Sequence, residues 1–325
     1  MPPPTLTCAQ HQALRCPLVK LGEGQTSEPC WLGFWQVLSV TQIQTFDGAI
    51  DSMGYSSTTR DKPTAFPFCG RPDRPRSVPL TPGAIAFYQV AQGLNPESCP
   101  HTYNFHLHTT CSDGRLSPQA VIDQALAIGL QGLAITDHHS LAGYRQAQAY
   151  LETRQLETRQ LETRQLATRQ LATQQAMGES NSGSRLPRLW SGTEITARLL
   201  DTDVHILGYG FDPEATALAP YCAGYERNPT GEAFGAAAVI AALQEAGGWA
   251  VLAHPARYRQ SPEELVPAAV ALGIDGVESF YAYDNPNPWR VSPSQTLRVS
   301  GLAAAHNLMQ TCGTDSHGLS LLQRL

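Results

Sequence analysis

Two hydrophobic periods alternate along the chain between residues 103 and 313. Short apolar runs of strand length occur at 103–107 (YNFHL), 132–136 (GLAIT), 189–195 (LWSGTEI), 204–209 (VHILGY), 249–253 (WAVLA), 275–280 (DGVESF) and 308–313 (LMQTCG). Several are separated by stretches with helical spacing. In SPQAVIDQALAIG, Ser117 is placed to cap and Pro118 to occupy the first helical position; TGEAFGAAAVIAALQEAGG closes on a glycine pair suited to a C-terminal cap. Strand, helix, strand in repetition predicts an α/β protein with a parallel sheet, closed as a barrel of about seven strands. Residues 1–99 differ in texture: they are rich in Pro, Ser, Thr and Gly and lack a sustained period, so a largely irregular N-terminal extension is predicted ahead of a domain at 100–325. Within the extension, TPGAIAFYQVAQGL (81–94) predicts one short helix, with Thr81 as cap and Pro82 at its start, read as a docking arm.

The predicted domain is interrupted at 151–175 by LETRQLETRQLETRQLATRQLATQQ, a five-residue repeat in five near-copies. Nearly every residue type in it favours helix, and Arg154 with Glu157 and Arg159 with Glu162 are opposite charges three apart. Five residues advance a helix by about 500°, so the repeated leucines spiral around it instead of forming a stripe. An exposed helical insert is predicted, and a regular coiled coil is excluded.

Charge and composition narrow the function classes. The formal net charge of −6 and a pI near 5.9 give no basic footprint for long nucleic acid. No run of eighteen apolar residues and no charged start followed by an apolar core is present, so a cytoplasmic protein with no membrane span is expected. The eight cysteines form no C-x-x-C pair and are read as free thiols.

The candidate chemistry begins at NFHLHTTCSDGRL (104–116). Side chains two apart on a strand leave the same face, so His106 and His108 can converge on one point. A lone His-x-His is weak evidence, and what matters is whether other strand ends complete the set. Asp137, His138 and His139 follow the second run; Glu194 lies in the third; His205 opens the fourth; His254 follows the fifth; Asp315 and His317 follow the last. Imidazoles combined with carboxylates suit Zn²⁺, Mn²⁺ or Fe²⁺, and one carboxylate can bridge two cations.

These motifs, HLH, SDG, TDHH, GTEI, HILGYGFD, AHP and TDSHG in this order, resemble the PHP (polymerase and histidinol phosphatase) superfamily of metal-dependent phosphoesterases over roughly His101 to residue 325. The resemblance implies a distorted seven-stranded (β/α)7 barrel and a trinuclear site. It would place His106, His108, Glu194 and Asp315 on one metal, Glu194, His205 and His254 on a second, and Asp113, His138 and His317 on a third. Asp137 and His139 would support the ligands from behind. Glu278 matches no ligand position and is read as packing or support, while His11, His101 and His306 are ordinary surface or loop histidines.

The activity implied is hydrolysis of phosphate esters on a small phosphorylated metabolite or short nucleotide by a metal-activated hydroxide, with two to three divalent cations and Glu194 among the catalytic groups. Arg257, three residues beyond His254 in AHPARY, is the candidate for holding the remaining phosphate charge. Two alternatives stay open: a non-catalytic, metal-stabilised module that binds a protein partner, and a nuclease acting on short oligonucleotides.

Overall fold

In the computed structural model, which describes residues 76–171, 186–225 and 231–325, helix α1 (Pro82–Ala91) is the first element. The Thr81 hydroxyl accepts from the Ala84 N–H at 2.9 Å and Pro82 sits at the helix start, as its sequence predicts. The helix is not a free arm. Phe87 is fully buried, stacked on Tyr209 with ring centroids 4.5 Å apart and edge-on to Phe105 and Trp190. Just upstream, the Arg76 guanidinium lies over the Trp249 ring and bonds the Gly248 carbonyl at 2.8 Å and Asp275 at 2.6 Å. The packed body thus includes residues well before 100. The rest of the predicted extension, with Cys8, Cys16, Cys30, Cys69 and His11, lies outside the described residues, as do 172–175 of the repeat. Cys99, Cys111, Cys222 and Cys312 are free thiols.

The remaining elements are β1 (Tyr103–Asn104), α2 (Pro118–Ile128), β2 (Gly132–Ala134), α3 (Ala142–Leu171), β3 (Arg188–Trp190), β4 (Gly192–Leu199), β5 (Thr202–Tyr209), α4 (Ala236–Glu245), β6 (Trp249–Leu252), α5 (Pro262–Leu272), β7 (Gly276–Phe280), α6 (Pro293–Ala305) and β8 (Met309–Cys312). Each of the seven predicted runs contains a strand, and 189–195 contains parts of two. The break falls at Ser191, whose hydroxyl donates to the Phe211 carbonyl at 2.7 Å. Gly192 follows because the chain there passes so close to Ile135 that a Cβ would lie 2.5 Å from its carbonyl oxygen.

The strands form two sheets, β1-β2-β3 and β4-β5-β6-β7-β8. The expectation of a wholly parallel architecture fails at β5, which runs antiparallel to both β4 and β6. The reason is local: only Leu200 and Asp201 separate the paired Leu199 and Thr202, and two residues can close a hairpin but cannot make a crossover. Leu200 takes the positive φ of 53° that so tight a turn demands. Parallel bridges between Leu107 and Ser316, and between His138 and Glu194, connect the two sheets.

Three apolar clusters support this frame. One lies where α2 and α3 meet β1 and β2, built on Val121, Ile122, Leu133, Ile135 and Leu151. A second joins α4 and α5 to the face of β4, β5 and β6 that carries Ile195, Ile206 and Leu252. The third is the aromatic cluster around Phe87.

Helix α3 carries the described part of the pentapeptide repeat as a continuation of the helix that follows β2, and residues 152–160 are exposed. Its first leucine behaves differently from its second: Leu151 is 6% exposed within the α2–α3 cluster, whereas Leu156 is 57% exposed. Leu151→Ala should therefore cost about 2–3 kcal/mol in urea unfolding, and Leu156→Ala less than about 0.5 kcal/mol, although the two occupy the same place in the repeat. Equal costs would show that the repeat does not leave the body where its burial changes.

Candidate metal centre

Regular pairing of β1 ends at Asn104, but the extended backbone continues through hydrogen bonds to its neighbours. Phe105 N–H donates to Cys312 O, Thr136 N–H to Leu107 O, His108 N–H to Ser316 O and Asp315 N–H to His106 O. Residues 105–108 are thereby held between the ends of β2 and β8, and the two-residue spacing sends His106 and His108 to one side with ring centroids 5.2 Å apart. Both are buried.

Glu194 stands at the middle of what they face. Its Oε2 lies 3.1 Å from Nε2 of both His106 and His108 and 3.5 Å from His138 Nδ1. Its Oε1 lies 2.8 Å from His205 Nδ1 and 3.5 Å from His254 Nε2. The hairpin produces the contact to His205: Thr196 pairs directly with His205, so Glu194 is its diagonal neighbour on the same face of the sheet. Asp315 Oδ1 lies 3.3 Å from His108 Nε2 and 3.4 Å from both His106 Nε2 and His317 Nδ1. Asp113 completes the group, with Oδ2 3.2 Å from His317 Nε2 and 3.8 Å from His138 Nε2, and Oδ1 3.5 Å from His108 Nδ1. All nine residues suggested by the resemblance are thus brought to one place, contributed by widely separated segments of chain.

Three overlapping sets have ligand atoms mutually close enough for a cation: His106, His108, Glu194 and Asp315; His138, Glu194 and His205; and His108, Asp113, His138 and His317. His254 stands beside the second set. Both ring nitrogens of buried His108 and of buried His254 lack a hydrogen-bond partner among the described residues, although carboxylate oxygens lie close by. Buried polar atoms are rarely left this way, and imidazole nitrogens facing carboxylate oxygens without aligned hydrogen bonds are a donor set that a divalent cation fits.

The electrostatics agree. Burial alone would raise the carboxyl pKa of Glu194, but His106, His205 and His138 hold it well below the usual carboxylate range. Asp315 is depressed in the same way against burial by His106 and His108, and Asp113 falls to about 2 through His317, His108 and His138. Conversely, burial would lower His106 and His108, yet the surrounding carboxylates push His106 well up and His108 to about 9. Burial dominates at His254, which is lowered, and at His138, which falls to about 4. The carboxylates thus favour the protonated form of His106 and His108, the form that ligation of a cation would displace.

The flanking residues separate into those that touch this group and those that do not. Glu278 sits behind it, with Oε1 3.0 Å from His106 Nδ1 and Oε2 accepting the His254 backbone N–H at 3.0 Å, so it fixes the ring of one histidine and the backbone of another. Asp137 touches none of the histidine rings; it accepts from Thr109 N–H, Thr109 Oγ1 and Ser112 Oγ, each at 2.7 Å, and ties down the loop between His108 and Asp113. His139 faces away: Thr196 N–H donates to its Nε2 at 3.2 Å and its Nδ1 lies 3.1 Å from the Tyr221 carbonyl, which makes Nδ1 the protonated nitrogen. Its own backbone N–H donates to Glu194 O at 2.9 Å, so its support of the centre runs through the β4 backbone.

Arg257 donates from NH1 to Asp315 Oδ2 at 2.9 Å. Tyr281 and Arg324, which the sequence did not single out, donate to that same oxygen at 2.7 Å and 2.8 Å. Tyr281 follows directly on β7, a position that a search of strand ends could have found; Arg324 belongs to no motif. His139, His254 and Asp315 have positive φ values of 50°, 26° and 54°, a conformation unfavourable for these residues and held here by the surrounding bonds.

Comparison with known proteins gives relatives whose coverage varies. The chain is 25% identical over 290 residues to a phosphoribosyl 1,2-cyclic phosphate 1,2-diphosphodiesterase of Eggerthella lenta, spanning 66% of this chain and 94% of that protein. It is 29% identical over 162 residues to a 3',5'-nucleoside bisphosphate phosphatase of Chromobacterium violaceum, 50% of this chain and 45% of the relative. It is 28% identical over 119 residues to a 5'-3' exoribonuclease of Haemophilus influenzae, 36% of this chain and 32% of the relative. Residues 104–166, which begin at the His-x-His segment and include Asp113 and His138, match the PHP domain family. With this match, those relatives and the gathered histidines and carboxylates together, the chain is similar to the metal-dependent phosphoesterases of the PHP superfamily.

Proposed function

We propose that this protein hydrolyses phosphate esters of small phosphorylated molecules at a centre of two to three divalent cations, Zn²⁺, Mn²⁺ or Fe²⁺, held where the two bridged sheets meet. The observation that carries the reading is the division of Glu194: one oxygen serves His106, His108 and His138, the other His205 and His254. A carboxylate so divided suits a bridge between two cations. His106, His108, Glu194 and Asp315 would hold the first, Glu194, His205 and His254 the second, and Asp113, His138 and His317 the third. Cations bound there would supply charge stabilisation of phosphoryl oxygens and a water acidified toward neutrality.

The chain's own groups bind and orient. Tyr281 and Arg324 fix Asp315 through Oδ2, leaving Oδ1 toward the histidines. Glu278 fixes the ring of His106. Arg257, whose side chain is 41% exposed, uses one nitrogen on Asp315 and would meet the reacting phosphoryl group with others of its planar fork. The names of the phosphatase and diphosphodiesterase relatives support small phosphorylated substrates. The exoribonuclease relative supports a second reading, in which short oligonucleotides are cleaved at the same centre.

Three outcomes are expected. Elemental analysis of loaded protein should give two to three divalent metals per chain, and Glu194→Gln should lose more than one of them; a content of one or none in the parent would overturn the shared-carboxylate reading. Glu278→Ala should weaken metal affinity about 10- to 100-fold in competition with a chelator, since His106 would lose the group that orients it. Arg257→Ala should keep its metals, because Tyr281 and Arg324 still hold Asp315, but lower kcat/KM for a phosphomonoester about a hundredfold. Full activity in that variant would remove Arg257 from the reaction, and a fully loaded parent that cleaves neither phosphomonoesters nor short oligonucleotides would sink the hydrolase reading.

A further inference from the structure

A cleft of about 430 Å³ lies between the first turn of α1, strand β3, the segment that follows β5 and Tyr144 of α3. Its size is that of a site for a small molecule. It stands apart from the metal centre, since none of the residues gathered there lines it. On the β4–β5 ladder Glu194 pairs with Leu207 and Gly192 with Tyr209, and the cleft begins beyond that last pair, at Ser191 and Gly210. The Gly210 N–H donates to the Ser191 carbonyl at 2.9 Å and the Ser191 hydroxyl to the Phe211 carbonyl at 2.7 Å. The segments that carry Arg188 and Asp212 are thereby fastened side by side.

Two opposite charges line this cleft without neutralising each other. The Arg188 guanidinium lies over the Trp190 ring, 4.9 Å from its centroid, on an indole that is 3% exposed. Among the described residues it has no carboxylate within ion-pair distance. The Asp212 carboxylate accepts the Glu214 N–H through Oδ1 at 3.0 Å and, among the described residues, has no cationic partner, which leaves Oδ2 open. Two further polar groups of the lining lack partners among the described residues: the buried Trp190 indole N–H has no acceptor, and the Tyr144 hydroxyl makes no hydrogen bond. Leu189 and Pro213 add half-buried apolar surface. Exposed charges are ordinarily satisfied by water. Here one is held on an aromatic face and the other in a turn closed by the Glu214 N–H, so little side-chain freedom is lost when a ligand arrives. A molecule that meets both must carry an anion and a cation close together, with an apolar remainder. A carboxylate takes two donors from one edge of a guanidinium, an ammonium matches a carboxylate oxygen, and an α-amino acid carries both groups on one carbon.

We propose that this cleft binds a free α-amino acid with an apolar side chain, its carboxylate on Arg188, its ammonium on Asp212 and its side chain against Leu189 and Pro213. The proposal is independent of the phosphoester chemistry. Calorimetric titration of the metal-loaded full chain with L-phenylalanine and L-leucine tests it, beside phenylpropanoate, which lacks the ammonium, and phenethylamine, which lacks the carboxylate. At least one of the amino acids should saturate a single site, and each analogue should bind about tenfold or more weakly. Arg188→Gln and Asp212→Asn should each weaken amino-acid binding about tenfold or more, with metal content at the parent level. Asparagine keeps an acceptor for the Glu214 N–H, so that variant removes the charge without removing the turn. A parent that binds the amino acids no better than phenylpropanoate would reduce the cleft to an anion site at Arg188 and overturn the proposal. Binding that survives both substitutions would put the amino acid on the metals and overturn it as well, as would no binding of either amino acid at millimolar concentration by the folded parent.

Discussion

The carboxylate of Glu194 is the constraint on which the rest of the centre depends. It is 1% exposed and surrounded by five imidazoles, and an ionised carboxylate so buried is costly unless positive charge or donors meet both oxygens. Every neighbouring feature meets that requirement. His106 and His108 are driven toward protonation by it, and Asp315 and Asp113 are held ionised by the histidines that Glu194 gathers. The result is a cluster of three carboxylates and six imidazoles in which each carboxylate faces more than one ring.

The frame has to hold that cluster against its own repulsions, and it does so with backbone bonds more than with packing. Glu194 is fixed from both directions along the edge of β4: its N–H donates to Asp137 O and its carbonyl accepts from His139 N–H. Asp315 is tied by its N–H to His106 O, which couples two ligand segments directly. Apolar mass lies away from this end, in the helix layers and in the aromatic cluster where α1 is inserted. This separation leaves the mouth polar while the remainder of the molecule supplies hydrophobic stabilisation.

Much of this was legible before any fold was known. The apolar runs located the strands because a strand buried on both faces must be apolar over its length, and the cap residues Thr81 and Ser117 fixed helix starts because unsatisfied N–H groups select those side chains. The His-x-His spacing revealed convergence because alternation on extended backbone is local. The direction of β5 could also have been read, since two residues between Leu199 and Thr202 permit only a hairpin, but a count of alternating strands and helices conceals it.

Other features have no local signature. Asp137 and His139 sit in the same tetrad as His138, yet one ties a loop and the other turns to the Tyr221 carbonyl, because one-residue steps at a strand end point successive side chains in different directions. Leu151 and Leu156 are identical in the repeat and differ only in whether α2 lies beneath them. Arg324 meets Asp315 only because the segment after His317 folds back across the mouth. The sequence by itself determined which residue types could form strands, cap helices and offer ligand atoms, since these follow from dihedral preference and donor chemistry. Only the tertiary structure decided which oxygen of Glu194 and Asp315 faces which partner, because that depends on contacts between residues far apart in the chain, and burial gives those contacts their strength.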